Sequence, residues 1–245
     1  MNLNKIAFLI SLCLFVSCSE QKVASLNNFA TDDDVFKSGK SLIALSYGLH
    51  DLEQATLDQQ TLLIGVHGSN SRGYEWVYPL ATLNNEANLV SFFRWNDDAC
   101  PGPSMTSLYA LIDAKFEENP NFEKVVLLGH SYGGLLVAVL SDTWDKEIML
   151  EAHSIASPLK GMGSLNNACD YQIPSSISPD TIFYEWRTIK ELDGSIRDYV
   201  RECSTIRRLD YRARRISDIH MSSKSCQWPW CHGPRGCTSW HGQLQ

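Results

Sequence analysis

The chain has 245 residues, of which 44% are hydrophobic and 20% are charged, so it is long enough for one sizeable domain with its own core. Its formal net charge is -7, and no long run of like charge points to a nucleic-acid partner. The arginines clustered between Arg197 and Arg215 alternate with acidic residues. This pattern predicts an ion-paired, solvated face, with contact to membrane headgroups or an anionic substrate as the alternative.

The first residues predict a targeting segment. Lys5 supplies a positive charge, and the apolar stretch 6–16 is too short to span a bilayer as a stable helix. The sequence Leu-Phe-Val-Ser-Cys-Ser that ends at Ser19 resembles a bacterial lipobox, in which the cysteine, here Cys18, is acylated and becomes the new N-terminus. The resemblance implies a signal peptide over 1–17, a lipidated tether over 18–40 and a cell-envelope location. Ser19 favours the outer membrane, facing the periplasm. An ordinary secretory signal is the alternative.

Strands and helices alternate from residue 41 onward. Predicted strands cover 41–46, 61–66, 88–93, 124–128, 148–155, 181–186 and 213–219, and predicted helices cover 106–118 and 134–140. The alternation predicts a single α/β domain over 41–245, with a mostly parallel central sheet and helices on both faces. Segment 157–180 is rich in proline, glycine and serine and is too long for a plain connector. It predicts a lid or cap loop tethered by Cys169, with a disordered insertion as the alternative.

The sequence Gly129-His130-Ser131-Tyr132-Gly133 joins a predicted strand to a predicted helix. A Gly-x-Ser-x-Gly stretch in that context is typical of a nucleophile elbow, a tight turn that exposes the serine hydroxyl. Ser131 is therefore the candidate nucleophile. The alternative is a structural glycine-rich turn that happens to carry a serine.

A second glycine turn, which begins with His67-Gly68, follows the strand 61–66. Together with the elbow and the later Ser157-Pro158 turn, it resembles the lipase and esterase branch of the α/β-hydrolases. That resemblance implies an oxyanion hole formed by the backbone amides of Ser69 and Tyr132. It also implies that His67 and His130 are scaffold residues of their motifs and not bases.

Chain order in the α/β-hydrolases is serine, then acid, then histidine. Asp193, just beyond the strand 181–186, is the favoured acid, with Asp198 and Asp170 in reserve. His220, which follows the last predicted strand, is the favoured base, and His241 is its rival. His153 lies in an apolar strand and is expected to be a satisfied core residue.

Export would place the cysteines in an oxidising compartment. Removing Cys13 and Cys18 from the eight cysteines leaves six, which allow up to three disulfides of undetermined pairing. The six are Cys100, Cys169, Cys203, Cys226, Cys231 and Cys237. The last three lie near His232 and His241, so a zinc site is the alternative there, but their spacing matches no common zinc finger.

The expected activity is hydrolysis of a carboxylic ester through an acyl-enzyme on Ser131, with no metal or organic cofactor. The expected partners are an ester or lipid-like substrate and the membrane that holds the anchor. Two alternatives stay open: a non-catalytic envelope binding protein with this fold, and an acyltransferase that uses the same residues.

Overall fold

The computed structural model describes residues 24–30 and 34–187, in which helices and strands alternate around one sheet. After a 3-10 turn at Leu26–Asn28, the elements are α1 (Val35–Ile43), β1 (Gly48–Asp51), β2 (Thr61–Val66), α2 (Tyr74–Thr82), β3 (Asn88–Arg94), α3 (Pro101–Glu118), β4 (Lys124–His130), α4 (Tyr132–Thr143), β5 (Met149–Ile155), α5 (Gly163–Cys169) and β6 (Thr181–Trp186). The predicted fold class is confirmed: this is an α/β architecture, consistent with an α/β-hydrolase-like fold.

Within the described residues, the sheet has six strands in the order β1-β3-β2-β4-β5-β6. β1 pairs antiparallel with β3, and every other neighbouring pair is parallel. The chain leaves β2 toward β3 on one side and leaves β4 toward β5 on the other, so the connections diverge between β2 and β4. In open parallel sheets, ligands bind outside the carboxyl ends of the strands at such a switch point. The topology alone therefore directs attention to the segments that follow Val66 and His130.

The central strands are buried on both faces, as their continuous apolar runs predict. In β2, Leu62 and Ile64 pack into a core with α3 and α4, whereas Leu63 packs into a second core with α1 and α2. The predicted strands 61–66, 88–93, 124–128, 148–155 and 181–186 are all confirmed, with ends shifted by two residues at most. The predicted strand 213–219 lies outside the described residues.

The first predicted strand, 41–46, is wrong, because helix α1 covers residues 35–43. A short apolar run fits a strand or the end of a helix equally well. The helix forms here because Ser38, Gly39 and Leu42 lie on one helical face, are buried, and pack α1 against α2. A Cβ at Gly39 would lie 2.1 Å from the backbone nitrogen of Tyr74, so the two backbones are in contact.

Residues before position 41, where a tether was predicted, also take part in the fold. Ala24 and Leu26 are buried in the core that contains α1 and α2. The Leu26 amide donates a hydrogen bond to the Leu52 carbonyl at 2.9 Å. Among the residues described, no helix is long and apolar enough to cross a membrane.

Helix α3 begins at Pro101, five residues before its predicted start at 106. Proline is favoured at the first helical position because it lacks the N–H that would have no partner there. Cys100, immediately before this helix, forms a disulfide with Cys169 at the end of α5, with 5.3 Å between their Cα atoms. One of the expected disulfides is thus present. It fastens segment 157–180 to the rest of the domain, as predicted for Cys169.

Candidate functional site

Ser131 occupies a sharp turn between β4 and α4. Its backbone has φ 51° and ψ -117°, a conformation that non-glycine residues rarely adopt and that is characteristic of functional sites. The neighbouring strand holds the turn, because the Ser131 amide donates to the Ile155 carbonyl at 2.8 Å. The Gly134 amide donates to the Ser131 carbonyl at 3.0 Å as α4 begins. Ser131 thus lies in a strained strand–turn–helix connection at the carboxyl edge of the sheet, the geometry expected of the predicted nucleophile elbow.

The two glycines of the motif are required by close packing. A Cβ at Gly129 would lie 2.6 Å from the Gly133 carbonyl oxygen. A Cβ at Gly133 would lie 2.3 Å from the Val66 carbonyl oxygen. Since contacts this short essentially never occur, the first turn of α4 can approach β2 and β4 only when both positions lack side chains.

The turn after β2 lies directly against the elbow. A Cβ at Gly68 would lie 3.0 Å from the Ser131 Cβ and 2.9 Å from the His130 carbonyl oxygen. Ser69 follows Gly68 in the chain and is exposed. Tyr132 follows Ser131 and opens α4. The two residues predicted to supply oxyanion-hole amides therefore belong to segments that meet at Ser131.

His67 is a structural residue of this turn. Its Nδ1 bonds to the Gly68 carbonyl at 2.8 Å, and its Nε2 accepts hydrogen bonds from Arg94 Nη1 at 2.9 Å and the Trp95 amide at 3.2 Å. Burial lowers the pKa of His67 to about 4. The ring is neutral near pH 7, and both of its nitrogens are occupied, so His67 cannot act as a base on Ser131.

Trp95 connects the two halves of the site. Its indole nitrogen donates to the His67 carbonyl at 2.9 Å, and its ring packs edge-on against Tyr132 with 4.9 Å between ring centroids. The Tyr132 hydroxyl donates to the Ala99 carbonyl at 2.9 Å, one residue before the disulfide-bonded Cys100. Because Trp95 is only 1% exposed, this arrangement fixes the turn after β2 relative to the elbow.

Asp97 restrains the same turn from outside. Its carboxylate accepts a hydrogen bond from the Asn70 amide at 2.6 Å and lies 3.7 Å from Arg94. Asn70 has φ 54°, so this bond stabilises a left-handed residue next to Ser69. Sequence reasoning missed Trp95 and Asp97. The available signal was their position just after β3, at the same edge of the sheet as the two motifs.

His153 is a satisfied core residue, as predicted. It is 7% exposed, its Nδ1 accepts a hydrogen bond from Trp186 Nε1 at 2.9 Å, and its Nε2 bonds to Glu151 at 3.1 Å. Its ring stacks on Tyr184 at 4.7 Å between centroids. The hydrogen bond from His153, helped by Lys124, lowers the pKa of Glu151 to about 2. With both ring nitrogens engaged, His153 has no part in proton transfer at Ser131.

The predicted acid and base lie outside the described residues. This applies to Asp193, Asp198, His220 and His241, and also to Cys18. The reserve acid Asp170 is described: it is exposed at the end of α5, where its carboxylate accepts a hydrogen bond from Gln172 at 3.3 Å. The cysteines other than Cys100 and Cys169, with the neighbouring His232, also lie outside that part of the chain.

Comparisons with protein-family models and with curated proteins find no match to this chain.

Proposed function

We propose that this chain is a serine hydrolase of the α/β-hydrolase type that acts on carboxylic esters through Ser131. The observation that carries the proposal is the strained backbone of Ser131, φ 51°, at the carboxyl edge of the sheet. Strain of this kind persists only where the surrounding structure maintains it, and here it is maintained beside the turn that contains Gly68. The sheet order, with an antiparallel first strand and an elbow after β4, supports the same assignment.

The proposed reaction begins with attack of the Ser131 hydroxyl oxygen on the acyl carbonyl carbon. His220, oriented by Asp193, takes the hydroxyl proton, and the amides of Ser69 and Tyr132 donate to the oxygen that becomes negative. Collapse of this intermediate breaks the ester bond, and the leaving alcohol receives the proton from the histidine. Water, deprotonated by the same histidine, then attacks the acyl carbon. The bond to Ser131 breaks, the acid leaves, and the histidine returns the proton to the Ser131 oxygen.

Two buried histidines of the described residues can be excluded as the general base. His67 and His153 are buried, and hydrogen bonds occupy both nitrogens of each ring. Neither of these two rings is therefore the base, and the expected chain order points to a histidine after β6. Replacing His220 and His241 one at a time, with turnover of a short-chain nitrophenyl ester as readout, distinguishes them. Full activity in both variants would contradict the proposed triad.

We further propose that a lipid on Cys18 anchors the domain to a bacterial envelope membrane. The support is the lipobox-like sequence and the six-residue interval, 24 minus 18, between Cys18 and Ala24, which is the first of the described residues and is buried. Mass spectrometry of the mature N-terminal peptide tests the anchor separately from the chemistry. An unmodified Cys18 in the mature protein would refute it.

A fluorophosphonate probe tests the catalytic proposal. The full chain should be labelled on Ser131, and Ser131→Ala should lose both labelling and ester turnover. Ser157, which lies near Gly134 just after the neighbouring strand, gives a matched control. The Ser157→Ala variant should still be labelled on Ser131. Analysis of products with an added alcohol separates hydrolysis from acyl transfer. A folded, unlabelled wild-type chain would favour the non-catalytic alternative.

A further inference from the structure

A groove lies between helix α1 and the turn that leads into α2. Its volume is about 590 Å³, within the range of small-molecule sites, and it is open to solvent. The lining combines apolar and aromatic groups with two cations. The lining residues are Phe36, Lys40, Ile43, Ala44, Ser71, Arg72 and Tyr74.

Two glycines make the groove a fixed feature of the fold. A Cβ at Gly39 would lie 2.1 Å from the Tyr74 nitrogen, and a Cβ at Gly73 would lie 2.1 Å from the Gly39 carbonyl oxygen. Gly73 also has φ 77°, which favours glycine. Because the backbones touch at this crossing, the side chains on either side of it are held together. Phe36 and Tyr74 accordingly pack with 4.9 Å between ring centroids.

The groove carries two positively charged side chains, Lys40 and Arg72. Lys40 and Arg72 are both exposed, and within the part of the chain described neither forms an ion pair with a carboxylate. The acidic residue of the adjoining turn, Glu75, is 7% exposed and accepts a hydrogen bond from Ser71. The apolar surface is also accessible, since Phe36 is 53% exposed.

We propose that this groove binds an anionic phospholipid of the bilayer, with the phosphate between Lys40 and Arg72 and the acyl region against Phe36, Ile43 and Tyr74. The combination of an exposed aromatic ring, Phe36, with lysine and arginine is the chemistry that membrane interfaces select. A soluble anion would use the two cations but would leave the apolar surface in water. An uncharged lipid would leave the cations without a partner.

The position of the chain's amino-terminal part favours a bilayer as the source of the lipid. Ala24 and Leu26 pack into the same core as Leu42 of α1 and Trp76 of α2. The six residues from Cys18 to Ala24 reach at most about 20 Å when extended. This step rests on the anchor proposed above: a lipid on Cys18 would keep the α1–α2 side of the domain close to the membrane. The argument from the residues that line the groove does not depend on the anchor.

The test mixes the full chain with phosphatidylcholine vesicles that contain a trace of a photoreactive lipid. In one sample this lipid is phosphatidylglycerol with a photoreactive acyl chain. In the other it is phosphatidylcholine with the same photoreactive chain. Crosslinks should map to Phe36, Ile43 or Tyr74. Each cation near an anionic lipid contributes about fivefold in affinity. Phosphatidylglycerol should therefore crosslink about 25-fold more than phosphatidylcholine, and Lys40→Ala with Arg72→Ala should remove that preference.

Lys37→Ala is the matched control, because Lys37 is exposed on the same helix but does not line the groove. It should change the preference less than about twofold, well below the fivefold effect of a groove cation. The double variant Lys40→Arg and Arg72→Lys, which keeps both positive charges, should preserve the preference for phosphatidylglycerol. Ser131→Ala should crosslink like the wild type, which separates this proposal from the catalytic one. Mass spectrometry of the Cys18 peptide shows separately whether Cys18 carries a lipid.

Three results would overturn the proposal. The first is equal crosslinking of the two lipids, and the second is an equal loss in the Lys37 control. The third is a raised KM for a soluble anionic ester in the Lys40 and Arg72 variant with lipid crosslinking unchanged, since the groove would then be a substrate subsite.

Discussion

Trp95→Phe should slow the reaction at Ser131 while leaving the protein folded. Trp95 is buried, donates its indole N–H to the His67 carbonyl at 2.9 Å and packs edge-on against Tyr132. It therefore joins the two segments whose amides are proposed to form the oxyanion hole. Phenylalanine retains most of the ring volume but removes the hydrogen bond that fixes one segment to the other.

The size of the effect follows from these contacts. A buried carbonyl left without its donor costs about 1–3 kcal/mol, and the smaller ring adds about 1 kcal/mol, so the free energy of unfolding should fall by about 2–4 kcal/mol. Complete loss of an oxyanion donor lowers kcat by about 10²- to 10³-fold. A displaced donor should cost less, so we expect kcat to fall by about 10- to 100-fold with KM nearly unchanged.

Trp144→Phe is the matched control. Trp144 is 3% exposed and donates its indole N–H to the Ile148 carbonyl at 2.8 Å, but it lies beyond the far end of the 12-residue helix α4, about 18 Å along the helix from Ser131. Urea unfolding should give similar losses of stability for the two variants, whereas nitrophenyl ester kinetics should show a lower kcat only for Trp95→Phe. Equal kcat in both variants would refute the positioning role.

Other outcomes follow from the same structure. Replacing Cys100 and Cys169 with alanine opens a loop of sequence separation 69 and should lower the free energy of unfolding by about 4 kcal/mol relative to the disulfide-bonded wild type, measured by urea titration. The pKa of His67 is lowered from 6.5 to about 4, so its contribution to stability is present above pH 6.5 and is lost as pH falls through 4. Stability should therefore drop by up to about 3 kcal/mol across that window, and His67→Asn should flatten the profile. Glu151, with a pKa lowered from 4.5 to about 2, contributes stability that is present above pH 4.5 and is lost as pH falls through 2, which urea titration at successively lower pH should detect. His153→Phe should lower the thermal midpoint yet retain fluorophosphonate labelling of Ser131, because both nitrogens of His153 are engaged away from the nucleophile.

The sequence is most informative where a local rule and the fold agree. The apolar run 61–66 is a buried strand because it lies at the centre of the sheet, with a core on each face. The turn at Ser131 is recognisable from the sequence because its glycines are required where the backbone packs too closely for a Cβ atom. These features let the fold class and the candidate nucleophile be predicted from residues close together in the chain.

Prediction from the sequence fails where contacts between residues far apart in the chain determine the local structure. Residues 41–43 are helical because Gly39 meets the backbone of Tyr74, a contact between residues far apart in the chain. Trp95 and Asp97 position the turn after β2 through hydrogen bonds across the sheet edge, and no motif marks them. The pairing of Cys100 with Cys169 likewise depends on where α3 and α5 lie in the fold.

Labelling of the full chain with a fluorophosphonate probe, followed by peptide mapping, tests the central claim most directly. We expect one modified residue, Ser131, with stoichiometric loss of esterase activity, and no label in a folded Ser131→Ala variant. A label that persists in Ser131→Ala, or ester turnover that this variant retains, would contradict it.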